Sequence, residues 1–332
     1  MEQLVRTNNI VLLATGGTIS MKTDDSGAAY KALGAASLGE NLSGIPNVSI
    51  EAVDFAYDIG YSVTHQMMLA LAHQITQLCE RGDIDAVVVC HGTDVMEEVA
   101  TFVDLTVASR KPIVFTGAMR NASMPGYDGA HNLRSAVQVA MSEHAMGRGV
   151  LVCMDDTVHI ARAITKTHTS RTSTFDSPNF GAVGFLNNDV VDFKGTPPSF
   201  RKYALPTHFV DVPLIWVYAG QDTSFLSLAC SQSKGIVIAA KGIGHVPAWW
   251  MPVIRQAIAQ DVIVVVASQC GSGSTSLQYG GVGSDRDLLD AGVIFAGYRR
   301  PLQARIELMC AISCGLAPAE IRRAFASPFG LE

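Results

Sequence analysis

Apolar positions in the first two-thirds of the chain fall into short continuous runs separated by amphipathic stretches. Ile10 to Ala14, Ala86 to Cys90, Pro112 to Phe115 and Gly149 to Met154 each have strand length, with apolar residues on both faces. Such runs suit strands buried on both sides, as in a parallel sheet. Between them, His65 to Glu80, Met96 to Ser109 and Asn132 to Ala145 carry the 3.6-residue period of helices. Alternation of this kind predicts a mostly parallel sheet covered by helices on both faces. Ligands bind such sheets at the carboxyl ends of the strands.

The pattern breaks after Val191. Phe193 to Thr207 holds Lys194, Gly195, Pro197, Pro198, Arg201, Lys202 and Pro206 without periodicity, which reads as a linker. Runs at Val212 to Ala219, Gly235 to Ala239 and Val262 to Ala267 follow. Helical patterns cover Pro247 to Ala259, Pro301 to Cys314 and Ala317 to Ala326. The expected fold is α/β: a larger N-terminal domain over 1–192 with a mostly parallel sheet flanked by helices, a linker over 193–211, and a smaller C-terminal α/β domain over 212–332. A length of 332 residues suits two cores better than one.

Composition narrows the function classes. A net charge of -6 with no basic block argues against nucleic acid as a partner. No apolar run reaches membrane-spanning length, and Met1 to Asn9 has no leader pattern, so the expected location is the cytoplasm. Seven cysteines are scattered without paired spacing, which speaks against a disulfide framework or a thiolate zinc site. The nine histidines include no His-Glu-x-x-His spacing.

Four strand ends carry candidate chemistry. Ala14-Thr15-Gly16-Gly17-Thr18-Ile19-Ser20 combines a glycine turn, exposed backbone N–H groups and two hydroxyls; it suits a phosphate cradle or a catalytic loop, although it lacks Gly-x-Gly-x-x-Gly and a Walker lysine. His91-Gly92-Thr93-Asp94 precedes a helix opened by Glu97 and Glu98; here Thr93 or Asp94 is either a helix cap or part of a nucleophile arrangement. Asp155-Asp156-Thr157-Val158-His159 leads through Arg162 to Lys166, which lies among Thr165, Thr167, Thr169 and Ser170. Lys166 either points into water or, partly withdrawn from it, takes a proton from a threonine hydroxyl. In Gly117-Ala118-Met119-Arg120 with Asp128-Gly129 and Asn132 the structural reading leads: Arg120 pairs with Asp128 and Asn132 caps the next helix. His91 and His245 lie near strand ends and are candidates to line a site.

In order and spacing, these segments together resemble the bacterial-type L-asparaginase family of asparaginase/glutaminase amidohydrolases. The resemblance extends over most of the chain and is looser at Gly235-Ile236-Val237, Gly242-x-Gly244 and Leu302-Gln303-Ala304-Arg305. It implies hydrolysis of L-asparagine to L-aspartate and ammonia, no metal or organic cofactor, and a homotetramer built as a dimer of intimate dimers. By resemblance, Thr18 is the primary nucleophile and Tyr30 lies on a lid over the site. Thr93 is the second hydroxyl, Asp94 binds the substrate α-amino group, and Lys166 is the base partner of Thr93. Gly17, Gly92 and Ala118 are expected to bind substrate alongside, the glycines through backbone donors that suit a developing oxyanion.

The chain departs from the family where a serine usually grips the α-carboxylate. It reads Tyr57-Asp58-Ile59-Gly60-Tyr61-Ser62-Val63-Thr64, so Gly60, Tyr61 and Ser62 are the expected substitutes. Val95 replaces a usual threonine, and Gly242-Ile243-Gly244-His245 lacks an asparagine seen in some relatives. Asp285 is the best match to the acid donated across the dimer interface. Two other readings stand beside asparaginase: a hydrolase of glutamine or another small amide, and an amino-acid-binding protein without turnover.

Overall fold

The computed structural model describes residues 6–55, 60–196 and 199–327. It divides into two compact units, Met1–Pro198 and Ser199–Glu332. Along the first unit run β1 (Asn8–Ala14), β2 (Met21–Thr23), β3 (Ala29–Lys31), α1 (Ala35–Gly39), β4 (Val48–Asp54), α2 (His65–Glu80), β5 (Ala86–Cys90), α3 (Met96–Thr106), β6 (Ile113–Thr116) and α4 (Gly129–Met141). Then come β7 (Val150–Met154), β8 (Thr157–Ile160), β9 (Thr165–Lys166), β10 (Phe175–Asp176), β11 (Gly184–Asn187) and β12 (Val190–Phe193). The last of these enters the stretch read as linker.

Eight strands make one sheet in the order β12-β11-β8-β7-β6-β5-β1-β4. β4, β1, β5, β6 and β7 are parallel, and β8, β11 and β12 add an antiparallel edge. The interior strands β5, β6 and β7 are buried at every position, as their unbroken apolar sequences require. Edge strand β4 instead has every residue half-buried or exposed. α2 starts where the Thr64 hydroxyl accepts from Met67 N at 3.2 Å, and it buries Met68, Leu71, Ala72, Ile75 and Leu78.

The chain order places the site. From β1 the chain goes to β4 on one side and then returns through α2 to β5 on the other. The connections leaving β1 and β5 therefore diverge, which opens a crevice at the carboxyl ends of two neighbouring strands. Their register ends level, with Ala14 opposite Cys90 and Cys90 opposite Thr116.

The second unit contains β13 (Leu214–Trp216), α5 (Ser224–Gln232), β14 (Gly235–Ala240), α6 (Met251–Ala259), β15 (Ile263–Ser268), α7 (Asp285–Ala291), β16 (Ile294–Phe295), α8 (Pro301–Ser313) and α9 (Pro318–Ala326). Its four strands are parallel in sequence order. The core gathers Trp250, Ile236, Ile238, Ile254, Val264 and Leu288. A buried Arg299–Glu307 pair ties α8 to the end of α9, where Arg299 donates to the carbonyls of Ala324, Phe325 and Ser327. Among the described residues no helix is long and apolar enough to cross a membrane.

Candidate active site

Two glycine loops meet at the crevice. Thr15 continues β1 by giving both its amide and its hydroxyl to Cys90 O, each at 2.9 Å. Gly16 and Gly17 then take φ of 96° and 90°, a region costly for residues with a Cβ. This turn throws Thr18 forward as the first residue of a 3-10 turn, Thr18–Ser20, closed by Ser20 N on Gly17 O at 2.9 Å. A Cβ on Gly17 would overlap Gly92 Cα and lie 2.6 Å from Gly92 N. Only backbone fits there, so the loops bearing Thr18 and Thr93 run against each other.

The second loop corrects the capping expectation. The N-cap of α3 is Val95, without a side-chain hydrogen bond, so neither Thr93 nor Asp94 serves as the cap. Lys166 Nζ instead donates to Thr93 Oγ1 at 2.9 Å and to Asp94 Oδ1 at 2.6 Å. Thr93 is buried, Lys166 is mostly covered, and the Asp94 carboxylate is open to solvent. The arrangement is a hydroxyl within hydrogen-bond distance of a lysine nitrogen, next to a carboxylate that is paired with that lysine through Oδ1 and still open to solvent.

Lys166 is held from two sides. β9 pairs with β10, and Lys166 N donates to the Glu97 carboxylate on the first turn of α3 at 3.0 Å. Upstream, Arg162 forms a buried ion pair with Asp104, and Thr101 Oγ1 donates to Ala161 O at 3.0 Å. One helix thus sets the position of both Thr93 and Lys166. A cavity of about 400 Å³ opens beside them, lined by Asp94, Glu97, Lys166, Thr167, His168 and Thr169.

The third loop, after β6, differs from its sequence reading. The Asp128 carboxylate accepts the backbone amides of Met119 and Arg120, while the Arg120 guanidinium turns to Gly126 O at 3.2 Å. The expected Arg120–Asp128 side-chain pair is therefore replaced by carboxylate-to-backbone bonds. Asn132 lies inside α4 rather than at its cap. Its amide nitrogen donates to Gly117 O and Asp128 Oδ2, and its Oδ1 accepts from Asp155 N, each at 3.0 Å. Gly117 is needed because a Cβ would come 2.6 Å from His91 O. Ala118 beside it is buried.

Asp155 and Asp156 form no acidic site. With φ of 49° and 57° they are the two turn residues between antiparallel β7 and β8. Positive φ at both positions defines the hairpin turn whose twist matches its strands. Asp156 accepts from His131 and Ser135.

Tyr30 lies on β3, which pairs with β2 in the hairpin just after Thr18, and the residue is 48% exposed. Gly60 is half-buried, Tyr61 is 84% exposed and Ser62 is exposed. Tyr57, Asp58 and Ile59 lie outside the described residues. Asp285 belongs to the second unit and is fully buried. Burial alone would raise its pKa, but amides from Gln278, Tyr279 and Arg286 outweigh that and hold it below the ordinary carboxylate value. His245 meets the Tyr279 ring edge-on at 5.2 Å in the same unit.

His91 is buried behind the Thr93 loop, its Nδ1 2.7 Å from Gly92 O. Burial pushes its pKa down to about 4, so the ring is neutral at pH 7. Sequence reasoning did not find Glu97 as the anchor of Lys166, or Tyr127, whose hydroxyl donates to Ile19 O at 2.9 Å. The only sequence signal for Tyr127 was its place beside Asp128-Gly129. Among the described residues no group of three His, Cys, Asp or Glu is placed to hold a metal ion, and the cysteines are free thiols.

The family description "Asparaginase, N-terminal" matches residues 9–199, and "Glutaminase/Asparaginase C-terminal domain" matches residues 211–325. The chain is 34% identical to a probable periplasmic L-asparaginase of Haemophilus influenzae, over 96% of this chain and 92% of that one. It is 33% identical to L-asparaginase 2 of Escherichia coli K12, with the same two coverages. Its fold is similar to the crystal structure of a probable cytoplasmic L-asparaginase from Campylobacter jejuni, with a TM-score of 0.86 and 29% identity, covering 97% of this chain and 100% of the other.

Proposed function

The chain belongs to the asparaginase family, and on that premise we propose that it hydrolyses L-asparagine to L-aspartate and ammonia through threonine hydroxyls. The observation that carries the mechanism is the 2.9 Å bond between Lys166 Nζ and Thr93 Oγ1, on a loop packed backbone to backbone against the loop of Thr18. Thr18 is the nucleophile. Its oxygen attacks the side-chain amide carbon, its proton passes to the leaving nitrogen, and ammonia departs as the carbon–nitrogen bond breaks. Water then cleaves the Thr18 ester and releases aspartate.

Thr93 and Lys166 handle protons during these steps, passing them along the contact between the Thr93 hydroxyl and Lys166 Nζ. The Asp94 carboxylate, 57% exposed, binds the substrate ammonium. Backbone N–H groups of the Gly17 and Gly92 turns face the developing oxyanion. Ala118 lines the pocket, Tyr30 closes over it, and Gly60 to Ser62 meet the α-carboxylate. No cofactor takes part. Asp285 is the acid read as crossing to a second copy; its bonds to three backbone amides favour a role in shaping the start of α7 instead.

The test is ammonia release from asparagine, glutamine and a panel of other small amides by the folded protein. Turnover of asparagine supports the reading, and turnover of no amide overturns it in favour of a binding protein. Faster release from glutamine would shift the substrate, a reading that the exposed Tyr61 and Ser62 keep in view. The assembly is read as a homotetramer of intimate dimers. The location is read as cytoplasmic, as named for the Campylobacter relative and unlike the Haemophilus one; cell fractionation decides it.

A further inference from the structure

The segment that follows Thr18 does not stand alone. Ile19 O accepts from Tyr127 Oη at 2.9 Å, and Met21 O accepts from Ala122 N at 3.0 Å. Thr23 N donates to Ser123 Oγ at 3.0 Å, and the Thr23 hydroxyl meets the Asn121 side chain. Every second residue from 19 to 23 is thus bonded to the loop between β6 and α4.

That loop is itself braced. Asp128 gathers the amides of Met119 and Arg120, Arg120 reaches Gly126 O, and Asn132 ties Gly117 to Asp128. Two turns close within it, Met124 N on Asn121 O and Tyr127 N on Met124 O. It is a rigid strap laid over the chain that carries the proposed nucleophile. Of its bonds, the one from Tyr127 is nearest to Thr18, joined to the very next residue. The ring occupies space that only a glycine leaves open, because a Cβ on Gly129 would overlap the Tyr127 hydroxyl and ring edge.

We propose that Tyr127 is a positioning residue for Thr18: its hydroxyl fixes the Ile19 carbonyl and so sets the angle at which the Thr18 oxygen meets the amide carbon. This rests on the reading of Thr18 as nucleophile. Half-buried, Tyr127 has its pKa pushed up to about 12, chiefly by burial, so it remains a neutral donor across the working range.

Tyr127→Phe removes the hydroxyl and keeps the ring. The expected result is a fall in kcat for asparagine on the order of tenfold or more, since small misplacements of a reacting group cost that much. KM stays within about twofold, because the Asp94 contact is untouched. The pH profile keeps its shape. Gly129→Ala displaces the same ring while favouring the helix it begins. It is expected to lower kcat similarly, and the double variant to be no worse than either single one, since both break one contact. An unchanged kcat in Tyr127→Phe, with Thr18→Val inactive, overturns the proposal and spares the Thr18 reading. A displaced limb of the pH profile also overturns it, by making Tyr127 a proton carrier. Full activity in Thr18→Val overturns both.

Discussion

Thr18 and Thr93 offer hydroxyls in different surroundings. Thr18 stands half-exposed at the head of a 3-10 turn, whereas Thr93 is buried and bonded to Lys166. On the proposed reading a substrate meets Thr18 directly, and Thr93 supplies the contact to Lys166. His91, two residues before Thr93, makes the stability of the fold around this loop depend on pH. Unfolded, its ring gains a proton below an ordinary value of 6.5; folded, it gains one only below about 4. Between those values the unfolded chain binds the extra proton. The stability from a neutral buried His91 is complete above pH 6.5 and is lost as pH falls toward 4, by about 3 kcal/mol. Urea unfolding at a series of pH values should show that loss, and His91→Gln should flatten it. An equal slope in the variant would assign the loss elsewhere.

At the scale of elements, α3 is the ruler of the site. It begins beside Thr93, anchors Lys166 through Glu97, and near its end holds Arg162 through Asp104. Asp104 also accepts Val150 N at 2.8 Å, so one buried carboxylate joins α3, β7 and the approach to β9. Asp104→Ala leaves Arg162 charged and buried, and the expected loss is about 3–5 kcal/mol, read as a lower urea midpoint. A loss under about 1 kcal/mol would show that the pair holds nothing in place. Elements of this kind were legible where the pattern is strong. Ala86 to Cys90 and His65 to Glu80 form a strand and a helix with the bounds expected from their apolar periods. Local polar chemistry was not legible. Asp155-Asp156 is a turn because two short acidic residues tolerate positive φ, and Asn132 serves three partners from within α4 because Asp128 spends its carboxylate on loop amides.

For the whole molecule, strand order decides where chemistry can happen. The two threonine motifs are far apart in sequence but leave neighbouring strands at the point where the chain reverses its direction across the sheet. Lys166 arrives from 73 residues beyond Thr93. Neither proximity can be computed from local pattern, so the resemblance, and not periodicity, supplied the pairing of Lys166 with Thr93. The assembly is the remaining proposal at this scale. Sedimentation equilibrium should return the mass of four 35.3 kDa chains; a stable monomer at micromolar concentration would contradict it.

On the proposed reading, a threonine rim breaks the amide bond. The most direct measurement is ammonia release from asparagine by Thr18→Val and Thr93→Val beside the unaltered protein, each checked for folding. Valine keeps the shape and removes only the hydroxyl. If the hydroxyls do the chemistry, each variant loses about a thousandfold or more in kcat. Losses of only a few-fold in both would contradict it.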